Sequence, residues 1–288
     1  MADIIVLGEN SFIGKALTTH SSDVTLRTIP SANFRVLINC RIHPDYVHRP
    51  YDEQNDMDLK AACIAWRAGA KFVMLSTRQV YGDVHRLGKI SETTLLKPIT
   101  NYAINKVITE QRLQELYSKT SENLLILRLT NVYGYEADKH RYSFMGKVQN
   151  SLLENKEVIL DSSPFVKKDF IPVEIAVKTI LAAANSKKSG IYNVGAGKPI
   201  EIGRLIGWII QGFGCGKLTC TSLIERDEFD IDCTKLKLNN LQPIEEIDHR
   251  WICHSIGVRL KSDPRYLSSR GVIVKLKSDP RYPTSSQI

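Results

Sequence analysis

Short apolar runs rich in β-branched residues alternate along this chain with longer amphipathic stretches, and that alternation restricts its fold more than any other feature. Ile4–Leu7, Val24–Leu26, Val36–Ile38, Phe72–Leu75, Leu124–Leu127 and Ile191–Val194 read as strands apolar on both faces. Such strands, separated by helical patterns, pair in parallel through right-handed crossovers. The expected architecture is α/β, a doubly wound parallel sheet that takes ligands beyond the carboxyl ends of its strands. At 288 residues and 43% hydrophobic, the chain can bury a full core. The expected layout is a sheet domain over 1–138 with returns to the sheet at about 170–195, a smaller discontinuous lobe over 139–255, and a basic tail over 256–288.

The net charge of +8 is uneven, because residues 259–288 carry seven Lys/Arg against two Asp/Glu. The remainder is nearly balanced and has no basic helix interleaved with aromatics, which argues against a nucleic-acid partner. Within the tail, Leu-Lys-Ser-Asp-Pro-Arg-Tyr occurs at 260–266 and again at 276–282, too short and too late for a solenoid. The tail is expected to be a peripheral hairpin or a mobile arm, dispensable for ligand binding after about residue 258. The first strand begins at the N-terminus with no basic stretch and long apolar run ahead of it, so neither a signal peptide nor a membrane span is expected, and the cytoplasm is the expected location. Six scattered cysteines lack zinc-site spacing and read as buried free thiols, with no metal implied.

Gly8-Glu9-Asn10-Ser11-Phe12-Ile13-Gly14 follows the first strand. Gly8 suits a tight strand-to-helix turn and Gly14 a close helix–strand contact, leaving helix amides to hold a pyrophosphate. Near the end of the second strand, Val24-Thr25-Leu26-Arg27-Thr28 offers Arg27 and no carboxylate, which leans towards NADP over NAD. Tyr102 and Lys106 lie four apart in a helical pattern and share one face, where both can act on one substrate oxygen. A phenol with an ordinary pKa near 10 needs such a cation to work at neutral pH.

The Gly turn, Ser76-Thr77-Arg78-Gln79-Val80-Tyr81-Gly82 and Tyr102-Ala103-Ile104-Asn105-Lys106, in that order, resemble the extended short-chain dehydrogenase/reductase family, with Glu92, Pro98 and Glu110 matching around the Tyr-Lys helix. The resemblance covers about residues 3–245. It implies a Rossmann fold, an NAD or NADP cofactor and a nucleotide-activated sugar as substrate. It also implies catalysis by Thr77, Tyr102 and Lys106, with Lys106 touching the nicotinamide ribose as well as the phenol. Cofactor contacts are implied at Gly8, Asn10, Ser11, Phe12, Ile13 and Gly14, at Cys40 and Arg41 in place of two small residues, and at Leu75 and Leu129. Thr77 and Gln79 are implied on the sugar side. Asn131, in Arg128-Leu129-Thr130-Asn131-Val132-Tyr133-Gly134, and Lys168, where the family usually has Arg, are implied at the diphosphate.

Family dehydratases carry an Asp-Glu pair directly after the Thr, and here those positions are Arg78 and Gln79, which do no acid-base work at neutral pH. Three readings stay open: an NADPH-dependent reductase of a keto sugar, favoured by Arg27; an NAD-dependent 4-epimerase; and a non-catalytic dinucleotide-binding subunit. Self-association as a homodimer is left open.

Overall fold

A computed structural model describes residues 4–20, 24–26, 34–84, 88–136, 143–242 and 246–269, the side chains of 24–26 and 267–269 excepted. Six strands, β1 (Ile4–Leu7), β2 (Val24–Leu26), β3 (Val36–Asn39), β4 (Lys71–Thr77), β5 (Leu124–Leu129) and β6 (Gly190–Val194), form one parallel sheet in the order β6-β5-β4-β3-β1-β2. The six expected runs are these six strands, and the order reverses beside β1 as a doubly wound sheet requires.

Side chains alternate across this sheet, and both faces are apolar because both are covered. Ile4, Val6, Ile38, Val73, Leu75, Leu125 and Leu127 join one core beneath helices α1 (Phe12–His20) and α5 (Val173–Asn185). Ile5, Leu7, Leu37, Phe72, Met74 and Ile126 join a second core beneath α2 (Met57–Arg67) and α3 (Asn101–Leu116).

A separate core holds the other lobe together. Helices α4 (Phe144–Asn155), α6 (Ile202–Phe213) and α7 (His249–Lys261) enclose Tyr133, Met145, Leu152, Phe170, Ile206, Ile209, Phe213 and Cys253 beside a small parallel pair, Glu157–Leu160 with Lys217–Cys220. Helices α6 and α7 cross closely, because a Cβ at Gly257 would meet the Ile209 carbonyl oxygen at 2.1 Å and one at Gly212 the His254 carbonyl oxygen at 2.0 Å.

The expected tail boundary at 256 is corrected here. Ile256 and Leu260 are buried on α7, and α8 (Pro264–Ser269) follows with Tyr266 packed on Phe213, ring centres 4.7 Å apart. Asp263 is buried, accepts from Tyr135 Oη at 2.8 Å and pairs with Arg265. The first copy of the repeat is thus neither hairpin nor mobile arm: its Pro264 opens a helix, where proline's missing N–H is harmless. The second copy lies outside the described residues. The thiol expectation also needs correction, since Cys233 and Cys253 are buried but Cys220 is exposed. No helix among the described residues is long and apolar enough to cross a membrane.

Candidate active site

The Gly turn lies at the carboxyl end of β1. Gly8 has φ +93°, a conformation that side chains disfavour, and a Cβ there would lie 2.8 Å from the Arg41 backbone nitrogen. A Cβ at Gly14 would sit 2.0 Å from the Gly8 carbonyl oxygen, which is the close helix–strand contact expected of that position. Ser11 N donates to Gly8 O at 3.0 Å, and Ser11 Oγ accepts from Gly14 N at 3.0 Å, so this serine caps the first turn of α1. Gly8, Asn10, Ser11, Cys40, Arg41 and Met57 are among the residues lining a cleft of about 460 Å³. A helix N-terminus with a cation opposite suits a pyrophosphate. Arg41, which replaces a small residue, therefore adds positive charge to the cleft. Arg27 lies outside the described residues. We expect Gly14→Ala to lose dinucleotide binding and about 1–3 kcal/mol of stability through overpacking; titration of NADPH and thermal melting of the variant check this.

Tyr102 and Lys106 occupy the first two turns of α3, whose N-cap Thr100 accepts from Ala103 N at 3.2 Å. Lys106 is buried, and its Nζ donates to Asp58 Oδ2 at 2.6 Å and to the Leu75 carbonyl oxygen at 2.9 Å. That ammonium lies 5.9 Å from the centre of the Tyr102 ring. The other Asp58 oxygen accepts from Asn39 Nδ2 at 2.8 Å. Burial alone would pull Lys106 down, but the Asp58 carboxylate outweighs it and holds the amine above the ordinary lysine range. Burial pushes the Tyr102 phenol up, Lys106 opposes it, and Asp58 adds to it, with a net rise. A protonated phenol is what results. Thr77 ends β4, two residues beyond the carbonyl that holds Lys106, and its Oγ1 accepts from Gln79 N at 3.2 Å.

On the far side, Arg78 makes two 2.6 Å bonds to Asp227 and stacks 4.0 Å over the Phe229 ring. Lys168 Nζ also donates to Asp227, at 2.8 Å. Burial raises the Asp227 carboxyl, yet the two cations hold it below its ordinary value. Asn131 Nδ2 donates to the Asp169 carbonyl oxygen at 3.0 Å. Gln79 is exposed, whereas Leu75 and Leu129 are buried at strand ends. Asp169 is fully buried and accepts from Thr130 Oγ1 and from the amides of Ala196, Gly197 and Lys198, so it anchors the loop after β6.

Lys106 is therefore held at the end of β4, by a carbonyl two residues before Thr77, with the Tyr102 ring 5.9 Å from its ammonium. Lys168 and Asn131 are occupied by partners within the protein. Sequence reasoning missed Asp58, Asn39 and Asp227. Asp58 resembles any acidic first-turn residue, and Asn39 any strand-end amide; their pairing with a lysine 48 positions away from Asp58 leaves no local pattern. A larger groove of about 1610 Å³, between the loop at Lys198 and the start of α7 at His249, contains none of the expected catalytic residues.

Comparison with known proteins places the fold and the family. The model of the NAD dependent epimerase/dehydratase family matches residues 44–195, just over half of the chain. A Methanocaldococcus jannaschii protein named provisionally as a UDP-glucose 4-epimerase is 28% identical over 137 residues, 47% of this chain and 44% of that protein. This chain thus spans less than half the length of that curated relative. Among solved structures, RMD from Pseudomonas aeruginosa complexed with NADPH superposes with a TM-score of 0.72 at 16% identity, covering 91% of this chain and all of that one. The dTDP-glucose 4,6-dehydratase of Bacillus anthracis with NAD gives 0.74 at 15% identity, covering 92% and 97%. At such identities these likenesses establish a shared Rossmann-like fold. With the family match extending through β4, the Tyr-Lys helix and β6, the chain belongs to the NAD dependent epimerase/dehydratase family.

Proposed function

We propose that this protein is a nicotinamide-dinucleotide-dependent reductase of a nucleotide-linked keto sugar. The observation that carries the reading is the Tyr102 phenol beside the buried Lys106 ammonium, 5.9 Å from its ring centre, a proton donor at neutral pH. Arg78, at the position where family dehydratases carry an acid, is tied to Asp227. The cleft suits a dinucleotide, since the turn at the start of α1, which Gly8 and Gly14 hold tight against the sheet, and Arg41 line it together.

A bound nicotinamide supplies the hydride. Tyr102 would give its proton to the carbonyl oxygen of the substrate. Thr77 Oγ1 already accepts from Gln79 N, which leaves its O–H to donate to the same oxygen. Two of the three Lys106 N–H groups are taken by Asp58 and Leu75, and the third is available to a ribose hydroxyl. Lys168 and Asn131 serve the substrate diphosphate, for which Lys168 exchanges its bond to Asp227.

The second reading, a sugar 4-epimerase, draws on the same single tyrosine, which can take and return one proton, and on the M. jannaschii relative. Cofactor handling separates the two. In the reductase, NADPH binds reversibly and tighter than NADH, and Arg27→Asp weakens NADPH by about 2–3 kcal/mol through loss of a charged contact while sparing NADH. Fluorescence titration of both nucleotides checks this. NAD that stays on the purified protein until denaturation would instead make it an epimerase.

A further inference from the structure

We infer that Asp58 is the positioning residue of this site: it fixes the Lys106 ammonium between α2 and β4 and keeps it charged, so that its remaining N–H points to the cofactor. The inference rests on the proposed role of Lys106 at the dinucleotide and adds the residue through which that role is set.

The geometry is a buried chain of polar contacts running out from the cofactor cleft. Asn39 Nδ2 donates both to the Arg41 carbonyl oxygen at 3.1 Å and to Asp58 Oδ1 at 2.8 Å. Asp58 Oδ2 takes Lys106 Nζ, which also reaches Leu75 O. The Asp58 and Lys106 side chains are each 5% exposed, so neither charge has water to fall back on. Buried ion pairs of this kind persist only where geometry and additional hydrogen bonds satisfy both partners. Here every oxygen of Asp58 is used.

The other groups facing Lys106 cannot replace Asp58. Tyr102 on its own helix and Tyr46 on the short helix Pro44–His48 present rings 5.9 and 5.8 Å from Nζ, and both are phenols pushed up by burial. The Cys40 thiol after β3 is raised to about 12, chiefly by burial, and is neutral. Asp56, two residues before Asp58, is held by Tyr51, Thr109 and the Leu59 amide. Without Asp58 the ammonium is a buried, uncompensated cation, and such lysines shed their proton near neutrality.

The test compares the full-length protein with Asp58→Asn, Lys106→Met and the double variant, and with Asp58→Glu as the conservative rescue. Lysine side-chain NMR from about pH 6 to about pH 10 reads the Lys106 charge directly against the ordinary lysine value. The resonance absent from Lys106→Met is expected to stay at its charged position throughout in the parent and in Asp58→Glu, and to titrate within the range in Asp58→Asn. NADPH titrations across the same range are expected to lose affinity about tenfold as Asp58→Asn deprotonates, with no such pH dependence in the parent. In the Lys106→Met background, Asp58→Asn is expected to add nothing. Should Asp58→Asn fold poorly, the double variant, which removes both buried charges, keeps that comparison available.

An unchanged Lys106 titration in Asp58→Asn, or an effect of Asp58→Asn on NADPH that persists without Lys106, overturns the inference. A shifted titration with NADPH affinity unmoved leaves Asp58 as the residue that fixes Lys106 and removes Lys106 from the cofactor, which is a failure of the functional reading instead.

Discussion

Tyr102→Phe is expected to lower turnover by about 10²–10⁴-fold, the range for removing a general acid. The change deletes one oxygen from a half-buried ring and leaves the ring itself in place. No hydrogen bond that builds the fold is lost among the interactions described for the Tyr102 hydroxyl, whose neighbours act on it through charge. Thermal stability and NADPH affinity should therefore stay near those of the parent. Steady-state assays on a nucleotide-linked keto sugar, with NADPH titration and thermal melting alongside, give the three readouts. Near-normal turnover would remove Tyr102 from the chemistry. A parallel drop in melting temperature would mean that the phenol serves the fold.

The second large effect concerns the C-terminal segment. A chain ended after residue 258 is expected to lose the packing of the second lobe, whereas one ended after residue 269 should keep it. The shorter chain lacks Leu260 and Tyr266, which are 0% and 5% exposed against the core of that lobe. Burial of two such side chains stabilises by roughly 3–6 kcal/mol, comparable with the total stability of many domains, about 5–15 kcal/mol. It also loses Asp263, leaving the Tyr135 hydroxyl without its acceptor. Calorimetry of the two truncations decides: equal melting temperatures would mean that α8 contributes nothing. The basic repeat thus divides into a first copy that belongs to the core and a second that lies outside the described residues.

That division shows where reading along the chain fails. Proline disfavours helix interiors, which fits the hairpin or mobile arm expected around Pro264. Pro264 instead stands at the first position of α8, and only the packing of Tyr266 on Phe213 reveals that the segment continues the body. Local pattern cannot show which apolar residues of a basic stretch find a partner.

The sheet was legible because it is specified locally. Both-face apolar runs, spaced by amphipathic helices, leave a parallel doubly wound sheet as the arrangement that buries them, and all six runs became its strands. The Gly turn was legible for a similar reason, since Gly8 and Gly14 have no room for a Cβ. Tyr102 and Lys106 share a helix face by spacing alone. What the tertiary structure decided is the electrostatic state of those groups. Asp58 reaches Lys106 from a different helix, Asp227 draws Arg78 and Lys168 together, and Asp169 gathers the loop after β6. Each of these contacts joins residues far apart in sequence, and at the buried Asp58 and Asp169 its strength comes from the exclusion of water, which exists only once the chain has folded.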